Sequence, residues 1–230
     1  MITDIKAEVN QLSPEVYGAS GTELLKMTKL GQLFTADWKY RLIAAGLAYR
    51  MSWGTITGGT DAVPVGNGTV LNLDQPQGLV AVDSGYLIPL ELDVGLICDL
   101  DAANDQAQVL VTADRSQATA AGATATVETP DNLLDGGATF GGRAWSIVTG
   151  DVTDPVHSDV LYYDTWFLRP LAAATQGAIV ASLKAQKEWS YPTLIAGPCQ
   201  ILIYFGGVIA ATGIGAFTFA HVPATYFPTS

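Results

Sequence analysis

The sequence predicts an all-β domain at residues 46–230, a sandwich or barrel, preceded by an N-terminal helical arm at residues 1–45. Hydrophobic residues make up 49% of the 230 positions and charged residues only 14%, so the chain can bury a sizeable core. After residue 46, short apolar runs are separated by turn residues, whereas a convincing helical period occurs only in the arm. Closely spaced strands of this kind favour one sandwich or barrel over βαβ units.

The arm is defined by apolar residues at three- and four-residue steps, with Thr22 as an N-cap ahead of them. Pro14 and the small residues at 18–21 separate this stretch from the first residues of the chain. We therefore expect a short helix, a bend and a second, amphipathic helix. Its apolar positions are Leu24, Met27, Leu30, Phe34 and Trp38.

The β domain begins where helical spacing gives way to alternation, at Leu47, Tyr49, Met51 and Trp53. Clusters of Gly, Asn, Asp and Pro separate the later apolar runs and indicate turns. Residues 117–143 predict a weak strand and a long surface loop, and the alanine-rich stretch 172–187 predicts a short helix. The predicted strands are 47–53, 69–73, 78–82, 86–97, 107–112, 144–148 and 160–168.

Aliphatic and acidic residues alternate within the run at 86–97. Leu90, Leu92 and Val94 are expected on one face of the strand, and Glu91 and Asp93 on the other. Two carboxylates suggest glycoside chemistry, but alternate positions on one strand are weak support for a catalytic pair. We expect the acidic face to be solvated or part of an interface.

The C-terminal segment has no charged residue from Trp189 to Ser230. Its apolar stretch at 194–220 is long enough for a membrane helix, which needs about 20 residues. Pro198, the Gly206-Gly207 pair and the β-like runs at 200–205 and 216–220 favour two buried strands instead. Both interpretations stay open, although no basic cluster flanks the stretch to fix a membrane span.

The charge balance excludes one class of partner. Eleven Lys and Arg against 22 Asp and Glu give a net charge of −11, so we expect no direct nucleic-acid binding by the folded body. The first residues show neither a basic nor an apolar signal region, and no signal peptide is expected. Cys98 and Cys199 are too far apart for a CxxC site, so they are two buried free thiols or a disulfide between neighbouring strands.

One stretch after a predicted strand gathers the oxygen ligands that Ca²⁺ prefers. Its residues are Asp99, Asp101, Asn104 and Asp105. The stretch lacks the glycine and distal glutamate of an EF-hand loop, so a solvated acidic turn competes with a Ca²⁺ site. We expect no other cofactor, because the only histidines, His157 and His221, stand far apart and outside any HExxH pattern.

Nucleophilic catalysis needs a Ser or Cys beside a base that a third group orients. One short loop supplies these residue types, namely Asp154, His157, Ser158 and Asp159. Turn-forming Asp and Ser explain the same residues, and neither a GxSxG elbow nor a phosphate-binding glycine motif occurs in the sequence. We therefore predict no catalytic residues and no enzyme.

Three runs, at residues 86–97, 197–205 and 216–224, resemble strands of viral single jelly-roll capsid proteins, including those of tailless icosahedral viruses of bacteria and archaea. The helical arm and the charge-poor, Ala/Thr/Gly-rich composition are also similar to virion proteins. The resemblance extends over about residues 46–227 and has no invariant motif, so it assigns no residue a role. It implies an eight-stranded, double-sheet jelly roll that forms trimers or pentamers in a virion as a major or minor shell, cement or decoration protein.

We therefore predict a structural virion protein that contacts copies of itself and other capsid proteins through apolar interfaces. The alternative is a carbohydrate- or receptor-binding β-sandwich that uses loop aromatic residues and Ca²⁺. A hydrolase on a β scaffold and a protein anchored in a membrane by residues 194–220 are the remaining hypotheses.

Overall fold

A computed structural model describes residues 38–53, 73, 76–100, 105–115, 126–146, 156–168, 179–207 and 211–226 of the chain. The structure is mainly β, as the sequence predicts. Its elements are α1 (Trp38–Ala44), β1 (Ala48–Trp53), β2 (Gly78–Val82), β3 (Tyr86–Leu100), β4 (Asp105–Asp114), β5 (Thr126–Val127), β6 (Asp131–Asn132), β7 (Arg143–Ser146), β8 (Asp159–Leu168), β9 (Ile179–Glu188), β10 (Ile195–Ala196), β11 (Cys199–Gly207), β12 (Ala211–Val222) and a final 3-10 turn (Ala224–Tyr226).

The described strands form two antiparallel sheets of six strands each. In the first sheet the order is β10-β3-β12-β1-β6, and β9 also pairs with β3. In the second sheet the order is β5-β7-β2-β11-β4-β8. The two sheets enclose one apolar core, which draws side chains from both.

The eight longer strands, β1 to β4, β8, β9, β11 and β12, pair from the ends of the chain inwards. The first pairs with the last, the second with the seventh, the third with the sixth and the fourth with the fifth. These pairs alternate between the sheets, so β1-β12 and β3-β9 lie in the first sheet and β2-β11 and β4-β8 in the second. The ladders β12-β3 and β11-β4 join the pairs within each sheet.

The core follows from the alternation of side chains along each strand. In β11, Ile201, Ile203 and Phe205 face the core between the sheets, whereas Leu202 and Tyr204 belong to a separate buried cluster on the outer face of the second sheet. Because both of its faces are covered, β11 reads in the sequence as a continuous apolar run. The same reason explains β2, in which every residue is buried.

Helix α1 covers part of the outer face of the first sheet. Leu42 packs in a buried cluster with Ile88, Leu90 and Val222. The helix ends in a Schellman motif, in which Gly46 adopts a φ of 69° and the amides of Gly46 and Leu47 donate to the carbonyls of Ile43 and Leu42. Of the five apolar positions predicted for the arm, Trp38 lies in this helix and the other four lie outside the described residues.

The predicted helix at 172–187 is wrong where the structure describes it, because residues 179–188 form strand β9. The alanine-rich composition favours a helix, but all ten residues of β9 pair with β3. Ala185 is buried, whereas its neighbours Lys184 and Gln186 are exposed, as in a strand. Tertiary pairing overrides local propensity here. Residues 172–178 lie outside the described part of the chain.

The predicted face of Leu90 is also wrong. Thr218 pairs with Glu91 and Phe219 with Pro89, so Leu90 is the extra residue of a β-bulge. Leu92 and Val94 lie in the core between the sheets, whereas Leu90 packs with α1 on the outer face. The bulge thus supplies apolar surface on which the helix packs.

The uncharged C-terminal segment forms strands β11 and β12, as favoured from the sequence. None of the helices in the described residues has the length and apolar character needed to cross a membrane. The predicted strand at 69–73 lies outside the described residues except for Leu73, which is in a turn.

Candidate functional site

The loop that contains His157, Ser158 and Asp159 lies against the outer face of the second sheet. His157 Nδ1 is 3.0 Å from Thr112 Oγ1 on β4, and the His157 ring stands edge-on to the ring of Tyr204, with centroids 5.7 Å apart. The Ser158 hydroxyl accepts from the amide of Arg115 at 3.3 Å and donates to the carbonyl of Val156 at 3.4 Å. The described contacts hold the loop in place and do not pair Ser158 with a base, and Asp154 lies outside the described residues.

A buried polar cluster anchors this loop. The Asp114 carboxyl group, which is inaccessible to solvent, accepts hydrogen bonds from Gln200 Nε2 at 3.1 Å and from the amide of Val156 at 3.1 Å. Arg115, the next residue, forms an ion pair with Asp159 and also donates to the carbonyl of Leu194 at 3.4 Å. The cluster therefore connects the end of β4 with the start of β8, the start of β11 and the loop before β10.

The sequence reasoning missed Asp114, Gln200 and Thr112. The available signal was the alternation of Thr112 and Asp114 with apolar Val111 and Ala113, which places two polar side chains on one face of a buried strand. Because buried polar groups need partners, this pattern points to a hydrogen-bonded cluster, although not to the residue that completes it.

The candidate Ca²⁺ residues lie around the connection between β3 and β4. The structure places the backbone of Asp99 near the end of β3 and that of Asp105 at the start of β4. Their side chains, and Asp101 and Asn104 altogether, fall outside the described part. Among the side chains that are described, no group of three His, Cys, Asp or Glu is positioned to hold a metal ion.

The acidic pair of β3 lies on the outer face of the first sheet, as predicted. Glu91 is exposed, and Asp93 lies 3.7 Å from the Lys184 ammonium of the neighbouring strand β9. Exposed ion pairs of this kind contribute little to stability. The two carboxylates therefore form part of a polar outer face of the first sheet.

Cys199 is a buried free thiol, which agrees with the first of the two interpretations of the cysteines. Its Sγ donates to the carbonyl of Ile195 at 3.4 Å. Burial raises the pKa of the thiol to about 11, so Cys199 is protonated and unreactive at neutral pH. For Cys98 the structure describes only the backbone, in β3.

The edges of the two sheets differ between the two sides of the sandwich. On one side the outermost described strands are β5 and β6, which have two residues each. On the other side they are β8 and β9, with ten residues each and one described neighbour apiece. We call the side formed by β8 and β9 the open side, because long edges expose backbone groups that can pair with another strand.

Both open edges lie on the same side of the sandwich because each strand of the first sheet lies over the strand at the corresponding position in the second sheet. Met51 of β1 reaches to within 3.2 Å of the position that a Cβ on Gly78 of β2 would take, so β1 overlies β2. Strand β9 of the first sheet and β8 of the second therefore lie together at the opposite side. Two large apolar side chains of β8 are exposed there, Val160 at 66% and Tyr163 at 53%.

Charge also differs between the two open edges. Strand β8 carries Asp159 and Asp164 and no basic residue, whereas β9 carries Lys184 and Lys187 beside Glu188. Asp164 accepts from the Tyr162 hydroxyl at 3.0 Å and from the amide of Thr165 at 2.8 Å. Burial and the nearby Asp164 carboxyl group raise the pKa of Tyr162 to about 12.

Comparison of the chain with models of protein families and with curated proteins finds no match in either set.

Proposed function

We propose that this chain is a structural virion protein, a capsid subunit that assembles with copies of itself. The observation that carries the proposal is the nested pairing of the eight long strands, first with last through fourth with fifth, in pairs that alternate between two sheets. Rolling one long antiparallel hairpin of four strand pairs into two sheets gives this connectivity. It supports an eight-stranded jelly roll, a fold used by viral capsid proteins and also by lectins and cupins.

The surface of the domain favours the capsid role among these classes. A subunit of a shell needs faces that pack against neighbours, and exposed apolar side chains are typical of such faces. The large apolar side chains that are most exposed among the described residues lie on loops, on edge strands and on helix α1. The most exposed of them are Tyr191, Val127, Val160, Tyr40, Val156 and Tyr163.

The arm and the charge fit the same role. Helix α1 lies on the outer face of the first sheet, and we assign to the predicted arm before it a role in contacts with neighbouring subunits. The net charge of −11 argues against genome binding by the folded body. We place the protein in the virion, with other capsid proteins as partners and with trimers or pentamers as the expected assemblies.

Electron microscopy of the purified full chain, at increasing protein concentration and without detergent, tests this proposal. Closed shells or regular ring-shaped capsomers support it. A chain that stays monomeric at all concentrations and binds glycans on an array in a calcium-dependent manner overturns it in favour of a carbohydrate-binding module.

A further inference from the structure

We infer that the open side is closed to strand addition, the pairing of an extended segment of another molecule with an edge strand. Asp164 on β8 and Lys187 on β9 close it. Each of these strands directs one charged side chain into the space between the sheets, where the buried side chains form the apolar core. Inward-pointing charges are one means by which β proteins keep an edge strand from pairing with another chain. The inference goes beyond the proposed capsid role and does not depend on it.

The register of β8 fixes the direction of Asp164. It pairs with Val109 of β4, and Val109 lies in the core between the sheets. Paired residues of neighbouring strands project from the same face of a sheet, so the Asp164 side chain also points between the sheets. Tyr162 and Trp166, two residues away on either side, pack against the same core. Asp164 is therefore a half-buried carboxylate with an aromatic residue on each side.

Asp164 keeps contact with water because β8 is an edge strand. Its carboxyl group accepts hydrogen bonds from the Tyr162 hydroxyl and the Thr165 amide, which are both neutral groups. Among the described residues, no cation forms an ion pair with Asp164. A strand added to β8 would cover the side on which this carboxylate meets solvent. Strand addition is then unfavourable, because a buried charge without an opposite charge is costly.

A bulge protects β8 in a second way. Val160 pairs with Thr112 of β4. The preceding residue of β4, Val111, pairs with Tyr162, so Leu161 is an extra residue on β8. A bulge bends and twists the strand that carries it, which interrupts the regular row of backbone groups that an incoming strand needs. The open edge of β8 is therefore irregular as well as charged.

Lys187 has the corresponding role on the other open edge. It pairs with Leu92 of β3, which lies in the core, so the Lys187 side chain points between the sheets. On that face it stands between the buried residues Ala185 and Trp189 and is itself half-buried. No described carboxylate forms an ion pair with Lys187. A strand that paired with β9 would bury this ammonium group among apolar side chains.

The test compares variants of the full chain that lose a charge from the inner or the outer face of a sheet. The double variant Tyr162→Phe with Asp164→Val removes the inward charge of β8 together with the hydroxyl that it accepts from, and Tyr162→Phe alone is its control. Lys187→Val and Lys184→Val remove the same charge from the inner and the outer face of β9. Sedimentation equilibrium measures self-association, and hydrogen exchange with mass spectrometry measures the protection of residues 159–168 and 179–188.

We expect the double variant to lower the dissociation constant for self-association about tenfold or more relative to Tyr162→Phe, with slower exchange in β8. We expect Lys187→Val to associate more tightly than Lys184→Val, with slower exchange in β9. Equal association within both pairs overturns the inference, and so does association that leaves exchange in β8 and β9 unchanged.

Thermal unfolding is the control for folding, and the two edges are tested separately, so a variant that fails to fold on one edge leaves the decision to the other. Assemblies of the natural chain in which the amides of β8 or β9 become protected also overturn the inference. Shell formation is a separate readout. A natural chain that never forms shells contradicts the proposed capsid role and leaves the closed edges standing.

Discussion

The Asp114 carboxyl group and the Gln200 side-chain amide, which occupy paired positions on β4 and β11, form a hydrogen bond of 3.1 Å with no access to solvent. The same carboxyl oxygen accepts from the amide of Val156, at the start of the loop that leads into β8. One buried group therefore connects the centre of the second sheet with the loop that precedes its edge strand.

We predict that Asp114→Ala lowers the free energy of unfolding by about 2–3 kcal/mol, because it removes the acceptor of the buried Gln200 side-chain amide and of the partly buried Val156 amide. Asp114→Asn keeps one acceptor oxygen in nearly the same volume, and we expect it to lose less than Asp114→Ala. Urea unfolding monitored by circular dichroism provides the measurement. A change below about 0.5 kcal/mol for Asp114→Ala, the range of an ordinary surface substitution, would show that the hydrogen bonds are not formed in solution.

A substitution at Phe217 tests whether the core lies between the two sheets. Its ring is buried and contacts those of Phe219, at 5.6 Å between centroids, and Trp189, at 6.3 Å. We predict that Phe217→Ala costs about 3–5 kcal/mol of stability, as is usual for a large core side chain. The matched control is Tyr191→Ala, which removes an aromatic ring that is 83% exposed and should change stability by less than about 0.5 kcal/mol. Similar losses for both variants would contradict the assigned core.

Cys199 gives a prediction on reactivity and pH. Since burial raises its pKa to about 11, we expect iodoacetamide at pH 8 to label Cys199 at least a hundredfold more slowly in the folded chain than in urea. Peptide mapping by mass spectrometry reports on this residue separately from Cys98. The raised pKa stabilises the fold below the ordinary thiol value of 9.0, and that contribution is lost as the pH rises through about 11. Rapid labelling of the folded chain at pH 8 would place the thiol at the surface.

The Lys39–Glu188 ion pair, which anchors α1, is lost at low pH, whereas the contribution of Cys199 is lost at high pH. The Lys39 ammonium lowers the pKa of Glu188 below its ordinary value of 4.5, so the ion pair supports the helix above that value and is lost as the pH falls through the lowered pKa. We predict that trypsin cleaves after Arg41 faster in Lys39→Met than in the natural chain at pH 7. At a pH low enough to protonate Glu188, cleavage near Leu42 by acid-active pepsin should be equally fast in both chains. A difference that persists at low pH would assign the effect of Lys39 to something other than Glu188.

The sequence predicted the strands that are buried on both faces or that alternate regularly between buried and exposed side chains. Strands β2 and β11 are apolar on both faces, and β1 alternates buried Tyr49 and Met51 with polar neighbours, so their composition reports their surroundings directly. It could not predict β9, because the alanine-rich stretch becomes a strand only through pairing with β3. Nor could it predict the bulge at Leu90, since the register shift depends on how β12 lies beside β3.

The candidate site was predictable to a smaller extent. The sequence drew attention to His157, Ser158 and Asp159, and the structure places all three around one buried cluster. The centre of that cluster, Asp114 with Gln200, joins residues that are far apart in the chain, and no local pattern connects them. The open side has the same origin, because a strand becomes an edge only when the whole sheet order is known.

The central claim, that this domain is a self-assembling capsid subunit, is tested most directly by the molar mass of the purified full chain in detergent-free buffer. Light scattering after size exclusion should be followed across a hundredfold range of concentration. The account predicts discrete oligomers of the 24.1 kDa chain that give way to closed particles as the concentration rises. A single monomeric species over the whole range would contradict it.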